Sequence, residues 1–364
     1  MRSASRKVAK EGFARNEMKS KIQKLLADAL TNYENGSYVE SLHQAEAMYS
    51  ASPRNIDVLI MLSANHFQLC NLNESMFYAQ QCIRVDVTCS EAYVALGNCI
   101  KEMGDLSSAF SFYQKAIRHN PRLSSAYSNL GLAHFMMGKP KEAIETLQIA
   151  ILLDSSCDAM CNLASVYKSQ GRANDAKNQL LTTIRCHPMC AIALNNLGVL
   201  FHHNGDFDQA IDCYEQALQI SPKFIDSISN SGNALYSLSK KIRDADTVKK
   251  AKERFKRALE LRPGFAVARG CYGALLLESA SSCKDGKRHL RMATLQDETC
   301  FDSLNNLSAL YFKHGDIDDS LKLCLRVLKQ RPNHWCAYIN LGNVLKAKVR
   351  QRSIKYSPSH VRGN

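Results

Sequence analysis

A period of 34 residues runs through most of this chain and constrains its fold more tightly than any other feature. The clearest unit is residues 191–224, AIALNNLGVLFHHNGDFDQAIDCYEQALQISPKF. Its marks are Leu197-Gly198, Phe201, Gly205, Ala210, Tyr214, Ala217 and Pro222, and residues 90–123 repeat them as Leu96-Gly97, Gly104, Ala109, Tyr113, Ala116 and Pro121. Counted from the first residue of a unit, positions 7, 8 and 11 share one face of a first helix, A. Positions 20, 24 and 27 share one face of a second helix, B. A small residue at position 8 lets helix B cross close to helix A. Gly at 15 supplies the tight turn, and Pro at 32 stops helix B. One such hairpin cannot bury its apolar stripes alone, but stacked neighbours make a continuous core. Length by itself suggests two or three domains. The period instead predicts a single all-α stack.

The register extends in both directions. Units fall at 22–55, 56–89, 90–123, 124–156, 157–190, 191–224, 225–265, 266–300 and 301–334. A final unit begins at Trp335 and its pattern ends at Lys346, so 335–346 reads as half a unit. Unit 225–265 carries about seven extra residues, expected between its helices at KKIRDADTVKK. Unit 266–300 keeps Tyr272-Gly273, but its second helix, CKDGKRHLRMATL, looks degraded. These spacings resemble the tetratricopeptide repeat, a 34-residue helix–turn–helix unit. The resemblance implies a right-handed superhelical solenoid of about nine and a half repeats over 22–346. Residues 1–21 are expected as a basic N-terminal segment and 347–364 as a basic, disordered tail. The exposed half repeat predicts fraying or self-association, because terminal repeats need a polar outer face.

Charge is distributed unevenly. The chain carries a net +13. Residues 1–24, 238–257 and 346–364 each contribute +6, leaving −5 on the other 301 residues. The repeat body is slightly acidic, so the basic surplus belongs to the ends and to one insertion. The 14 cysteines include no CxxC pair and read as reduced thiols used as small apolar residues. No apolar run approaches the ~18 residues of a membrane-spanning helix. The N-terminus lacks the apolar core of a secretory signal, and Glu11 and Glu17 argue against a mitochondrial presequence. The expected location is cytoplasm or nucleus, with no membrane partner.

In such a stack helix A lines the inner surface, so its polar residues off the buried stripe are the ligand-facing candidates. Position 6 is Asn in six units: Asn129, Asn162, Asn196, Asn230, Asn306 and Asn340. Met61, Ala95 and Cys271 interrupt the column. A carboxamide both donates and accepts, so a column of them can hold a peptide backbone with little sequence preference. Decoration of an exposed helix is the bland alternative. Position 2 is acidic at Asp57, Glu91, Asp158, Asp226 and Asp302. Asp158, Asp226 and Asp302 form an accessory column beside the asparagines, although the helix dipole alone favours acids there.

The segments AYSNLG (126–131), AYINLGNVLK (337–346) and VLIMLSANHFQLCNLNES (58–75), the last followed by EAYVALGNCIKEMGDL (91–106), resemble repeats of the protein O-linked N-acetylglucosamine transferase family. The resemblance implies a substrate-binding asparagine ladder at the six positions named. It also implies a UDP-sugar transferase domain after the repeats, yet only 18 residues follow Lys346. No catalytic base, sugar-nucleotide site or cofactor carries over to this chain. The reading is a protein-binding solenoid for extended client segments, like the substrate-recognition arm of that enzyme. A second reading makes the chain part of an intact glycosyltransferase whose catalytic domain is missing from it. A third is a general scaffold, for example in RNA processing or ciliary assembly, using the basic ends for contact. Nucleic acid is thus a lesser partner than protein or extended peptide.

Other constellations are weak. Cys186-His187-Pro188-Met189-Cys190 has metal-binding residue types, but it sits at an inter-repeat turn and lacks a four-ligand set. No metal is expected. His202-His203 reads as a solvated turn. VKKAKERFKRALE (248–260) resembles an anion-binding patch, but Ala251, Phe255 and Ala258 are the repeat's buried positions, which leaves its cations on a solvated outer face. Positions 5 and 6 hold no Lys or Arg, which argues against a carboxylate-clamping co-chaperone.

Overall fold

The computed structural model describes residues 23–278 and 282–355, and these are helices joined by short turns, with no strand among them. The fold divides into two compact units between Thr183 and Ile184. The first holds α1 (23–34), α2 (Tyr38–Ala51), α3 (Ile56–Gln68), α4 (Leu72–Val85), α5 (Ser90–Glu102), α6 (Leu106–His119), α7 (Ser124–Met136), α8 (Pro140–Leu153) and α9 (Cys157–Ser169). Helix α10 (Ala173–Cys186) spans the division. The second holds α11 (Ala191–Asn204), α12 (Phe207–Ile220), α13 (Ile225–Ile242), α14 (Ala245–Leu261), α15 (Ala266–Leu276), α16 (Cys283–Gln296), α17 (Phe301–Lys313), α18 (Ile317–Gln330) and α19 (Trp335–Lys355). Odd-numbered helices are the A helices and even-numbered ones the B helices, in the register read from the sequence.

The crossing of each pair explains the small residue at position 8. A Cβ built on Gly97 would lie 2.5 Å from the Tyr113 ring, and one on Gly198 2.7 Å from the Tyr214 ring. Gly131 faces Leu147, and Gly232 faces Phe255, in the same way. Each partner is the position-24 side chain, and all four are essentially fully buried. Two pairs solve the crossing with serine instead. Ser63 Oγ donates to the Ser75 carbonyl at 2.9 Å and Ser75 Oγ returns the bond to the Ser63 carbonyl at 2.7 Å. Ser308 and Ser320 do the same at 3.1 and 2.8 Å. A hydroxyl is tolerated in this dry contact because it is reciprocally hydrogen-bonded.

The turns follow the same logic. Gly104, Gly138, Gly171, Gly205 and Gly315, all at position 15, have φ between +73° and +91°. Cys70 occupies that position in its own unit with φ +62°. A side chain in this left-handed region costs roughly 1–2 kcal/mol. Cys70→Gly is therefore expected to raise the urea midpoint of the first unit, corresponding to about 1 kcal/mol. An unchanged or lower midpoint would contradict the strain.

Four sequence expectations change. The extra residues of unit 225–265 do not form a loop. They lengthen both helices, to 18 residues in α13 and 17 in α14. Arg243 makes the left-handed turn there at φ +56°, and Asp244 caps α14, accepting from the Thr247 N–H at 2.8 Å. The supposedly degraded helix of unit 266–300 is a regular 14-residue α16 with Leu290 and Ala293 fully buried. Its crossing residue is Gly286, against Gly273. The last A helix does not stop at Lys346 but runs on to Lys355 as the 21-residue α19. Twelve cysteines are free thiols, whereas Cys157 and Cys190 are each disulfide-bonded. Residues 1–22 and 356–364, which hold most of the two expected basic ends, lie outside the described residues.

Candidate functional site

Within each unit the A helices pack side by side: α3 on α5, α5 on α7, α7 on α9, and α11 on α13 through α17 on α19. B helices pack on their own A helix and on the next one. The A helices therefore form the inner layer of each unit, and position 6 lies on it.

All six candidate asparagines are half-buried on this layer. Three of them bond backward to the same place. Asn162 Nδ2 donates to Ser128 Oγ at 3.3 Å, Asn230 Nδ2 to Asn195 Oδ1 at 3.0 Å, and Asn340 Nδ2 to Asn305 Oδ1 at 2.8 Å. Ser128, Asn195 and Asn305 each occupy position 5 of the preceding unit. Position 5 thus supplies an acceptor that ties one A helix to the next. Asn129 lacks this acceptor, because position 5 before it is Val94; its Nδ2 turns to the carbonyl of Ser125 in its own helix, at 2.9 Å. Asn196 Oδ1 accepts from Asn195 Nδ2 at 3.4 Å, and Asn195 Oδ1 also accepts from Ser227 Oγ at 3.0 Å. Before Asn306, position 5 is Gly270, and Ser303 fills the space its side chain would take. Asn306 instead lines a small cavity of about 180 Å³ with Cys271, Asp302 and Arg331.

The 34-residue period alone does not reveal this backward ladder. Its signal, a polar residue one place before the Asn of the preceding unit, was present in the letters. The ladder occupies one N–H of Asn162 and of Asn230, while Asn340 Nδ2 donates to the Asn305 carbonyl at 3.2 Å as well as to its Oδ1. Oδ1 and the second N–H of Asn162 and Asn230, and Oδ1 of Asn340, remain for a ligand. The acidic column is less organised. Asp158, Asp226 and Asp302 sit exposed in the first turns of α9, α13 and α17. Asp302 lies 3.5 Å from His334 Nε2.

No nucleophile emerges among the thiols on this layer. Burial pushes the Cys161 thiol up to about 12 and that of Cys271 up to about 11, so both stay protonated. The Cys82 thiol donates to Cys89 across 3.3 Å, which lowers the Cys89 pKa and raises that of Cys82; both are buried.

His202 is not the solvated turn residue expected. It is half-buried against Phe207, with Nε2 3.1 Å from Ser237 Oγ. Burial lowers its pKa, and the neighbouring His203 adds to the shift. Burial also lowers the pKa of His134 and His289. The unfolded chain takes up these protons at a higher pH than the folded one, so stability falls as pH drops through about 6.5 and levels off below the depressed folded values. Thermal melts at pH 7.5 and 5.5 are expected to show a lower Tm at 5.5. The fall should be shallower in His202→Gln.

Two features along the helices were not anticipated. The lengthened α13 and α14, with α12, enclose a groove of about 620 Å³. In it Glu215 accepts from Arg254 at 2.6 Å and from Ser231 Oγ at 3.2 Å. The buried stripe of α14 is Ala251, Phe255 and Ala258, as the repeat requires, while Lys249, Lys250, Lys256 and Arg257 are exposed. The second feature is an apolar groove along α1, α3 and α5. No helix among the described residues is long and apolar enough to cross a membrane.

Comparison with known proteins agrees with this architecture. Four tetratricopeptide-repeat family models match, at residues 90–122, 112–145, 191–224 and 301–329. A UDP-N-acetylglucosamine–peptide N-acetylglucosaminyltransferase of Caenorhabditis elegans is 36% identical over 94 residues, which cover 26% of this chain and 8% of that enzyme. The chain thus spans a small part of that relative's length. The solved structure of a monomeric IFIT1 mutant with Gppp-AAAA shares the fold at 14% identity and a TM-score of 0.65, covering 92% of this chain and 83% of that one. The APC/C hetero-tetramer Cut9-Hcn1 matches at 17% identity and a TM-score of 0.60, covering 88% and 55%. The chain is therefore an all-α tetratricopeptide-repeat protein, an interaction scaffold whose repeats resemble those of the O-linked N-acetylglucosamine transferase.

Proposed function

We propose that the inner helix-A layer binds extended segments of client proteins, and that the position-6 asparagines hold the client backbone. The observation that carries this is the half-used carboxamide. On Asn162 and Asn230 one N–H is fixed by the preceding repeat, which orients the amide and leaves its Oδ1 and second N–H for a peptide N–H and C=O; on Asn340, whose Nδ2 is bonded twice, Oδ1 remains. Orientation before binding reduces the ordering cost of each contact. Asn129 and Asn196 extend the column.

The test replaces Asn129, Asn162 and Asn196 together by Ala and measures capture of proteins from cell extract. At roughly 0.5–1.5 kcal/mol per lost hydrogen bond, capture should weaken by about tenfold or more. Ser128→Ala removes only the bond that orients Asn162 and should weaken capture less than the triple variant does. Unchanged capture by a folded triple variant would remove the asparagine reading.

The 36% identity to the glycosyltransferase favours a finer version, in which captured clients are substrates for O-linked N-acetylglucosamine transfer by a separate catalytic domain. Raising or depleting the chain in cells should change that modification on the captured proteins. Unchanged modification would leave a scaffold without this role.

A further inference from the structure

The helix-A layer changes chemistry inside the first unit. The asparagine column begins only at Asn129; the two preceding repeats carry Met61 and Ala95 instead. Here two adjoining cavities of about 270 and 230 Å³ run along α1, α3 and α5. They share Tyr33, Ile60 and Ala64. Leu26 and Leu30 line the first, and Phe67 and Val94 the second. Leu30 is 46% exposed, although it faces this groove rather than an open helix surface. Together the cavities fall within the roughly 300–1,000 Å³ of ligand-sized sites.

Each cavity also holds one carboxylate: Asp57 in the first, Glu91 in the second. Both are exposed first-turn residues of their A helices. Among the described residues neither lies in salt-bridge range of a Lys, Arg or His. The Glu91 carboxylate accepts a weak contact from the Cys89 thiol at 3.7 Å. An apolar floor with one unpaired acid at equivalent points of successive helices is complementary to an apolar segment that carries spaced cations. Neighbouring helix axes lie about 8–10 Å apart. An extended chain covers that distance in about three residues.

We propose that this groove binds an extended segment of a partner protein with an apolar side chain between two Lys or Arg about three residues apart, the cations pairing with Asp57 and Glu91. The inference rests on the helix-A layer being the binding face and assigns its first repeats a chemistry different from the asparagine column.

The test uses fluorescence polarisation on the full chain. The probe is a labelled nine-residue peptide, Ser-Gly-Arg-Leu-Phe-Arg-Leu-Gly-Ser, and its counterpart has Glu in both Arg places. Wild type should bind the Arg peptide at least about tenfold more tightly than the Glu peptide. The pair Asp57→Lys and Glu91→Lys, both at exposed positions, should reverse that preference, and Ile60→Ser should weaken the Arg peptide while circular dichroism stays unchanged. Equal binding of both peptides by wild type, or no reversal in the Lys pair, would overturn the proposal. Binding that appears only after residues 1–22 are deleted would overturn it in favour of the chain's own N-terminal segment. Self-association abolished by Ile60→Asp would overturn it in favour of a second copy. The Asn129, Asn162 and Asn196 triple variant should still bind the Arg peptide. Its loss of client capture and the charge reversal are separate readouts, so either reading can fail alone.

Discussion

Gly198→Ala is expected to destabilise the second unit by about 1–3 kcal/mol, although it adds one methyl group. The new Cβ would lie 2.7 Å from the Tyr214 ring and 3.0 Å from two further ring atoms. Tyr214 is 1% exposed and packs against Ala210, Ala234 and Ile211, so the ring has no empty space to enter. Tyr214→Ala alone should cost more, about 3–5 kcal/mol, because it opens a large cavity. In the double variant the added methyl occupies part of that cavity. Urea unfolding should therefore show a double-variant loss well below the sum of the single losses. Additive losses would mean that the ring and the glycine do not share one contact.

Gly286→Val is expected to have a comparable or larger effect with no such rescue. A Cβ on Gly286 would lie 2.8 Å from the Gly273 carbonyl oxygen, and one on Gly273 would lie 3.0 Å from the Gly286 carbonyl oxygen. The first obstacle is backbone on both sides, so α15 and α16 must separate. Overpacking of this kind costs about 1–3 kcal/mol or more, and a β-branched residue adds its own helix penalty. Leu277 also lies 2.8 Å away, but trimming it with Leu277→Ala should recover little, because the carbonyl contact persists. Hydrogen exchange over α15 and α16 would report the separation directly. Restoration of protection by Leu277→Ala would show that side-chain crowding is the true obstacle.

These two sites show where local sequence information suffices. The Gly198 and Tyr214 contact was legible, because positions 8 and 24 stand at fixed separation on two helices joined by one tight turn. The Gly286 contact was not. CKDGKRHLRMATL breaks the expected residue types, and the helix survives because Leu290 and Ala293 still fill the buried stripe. The charged KKIRDADTVKK stretch likewise extends two helices where the repeat period suggests a connector. Its lysines and arginines are good helix formers, and Ala251 and Phe255 anchor the lengthened α14.

By itself, the sequence determined the helix pairs, their crossing residues, their turns and the position of the asparagine column. All of these depend on contacts within one 34-residue unit. The tertiary structure decided what the column does and where the layer changes character. Asn162, Asn230 and Asn340 find their acceptors one repeat back, 34 or 35 residues away. The groove around Ile60 needs three helices at once. A period in sequence specifies each repeat's own hairpin. Only packing one hairpin against the next decides which side chains meet between them.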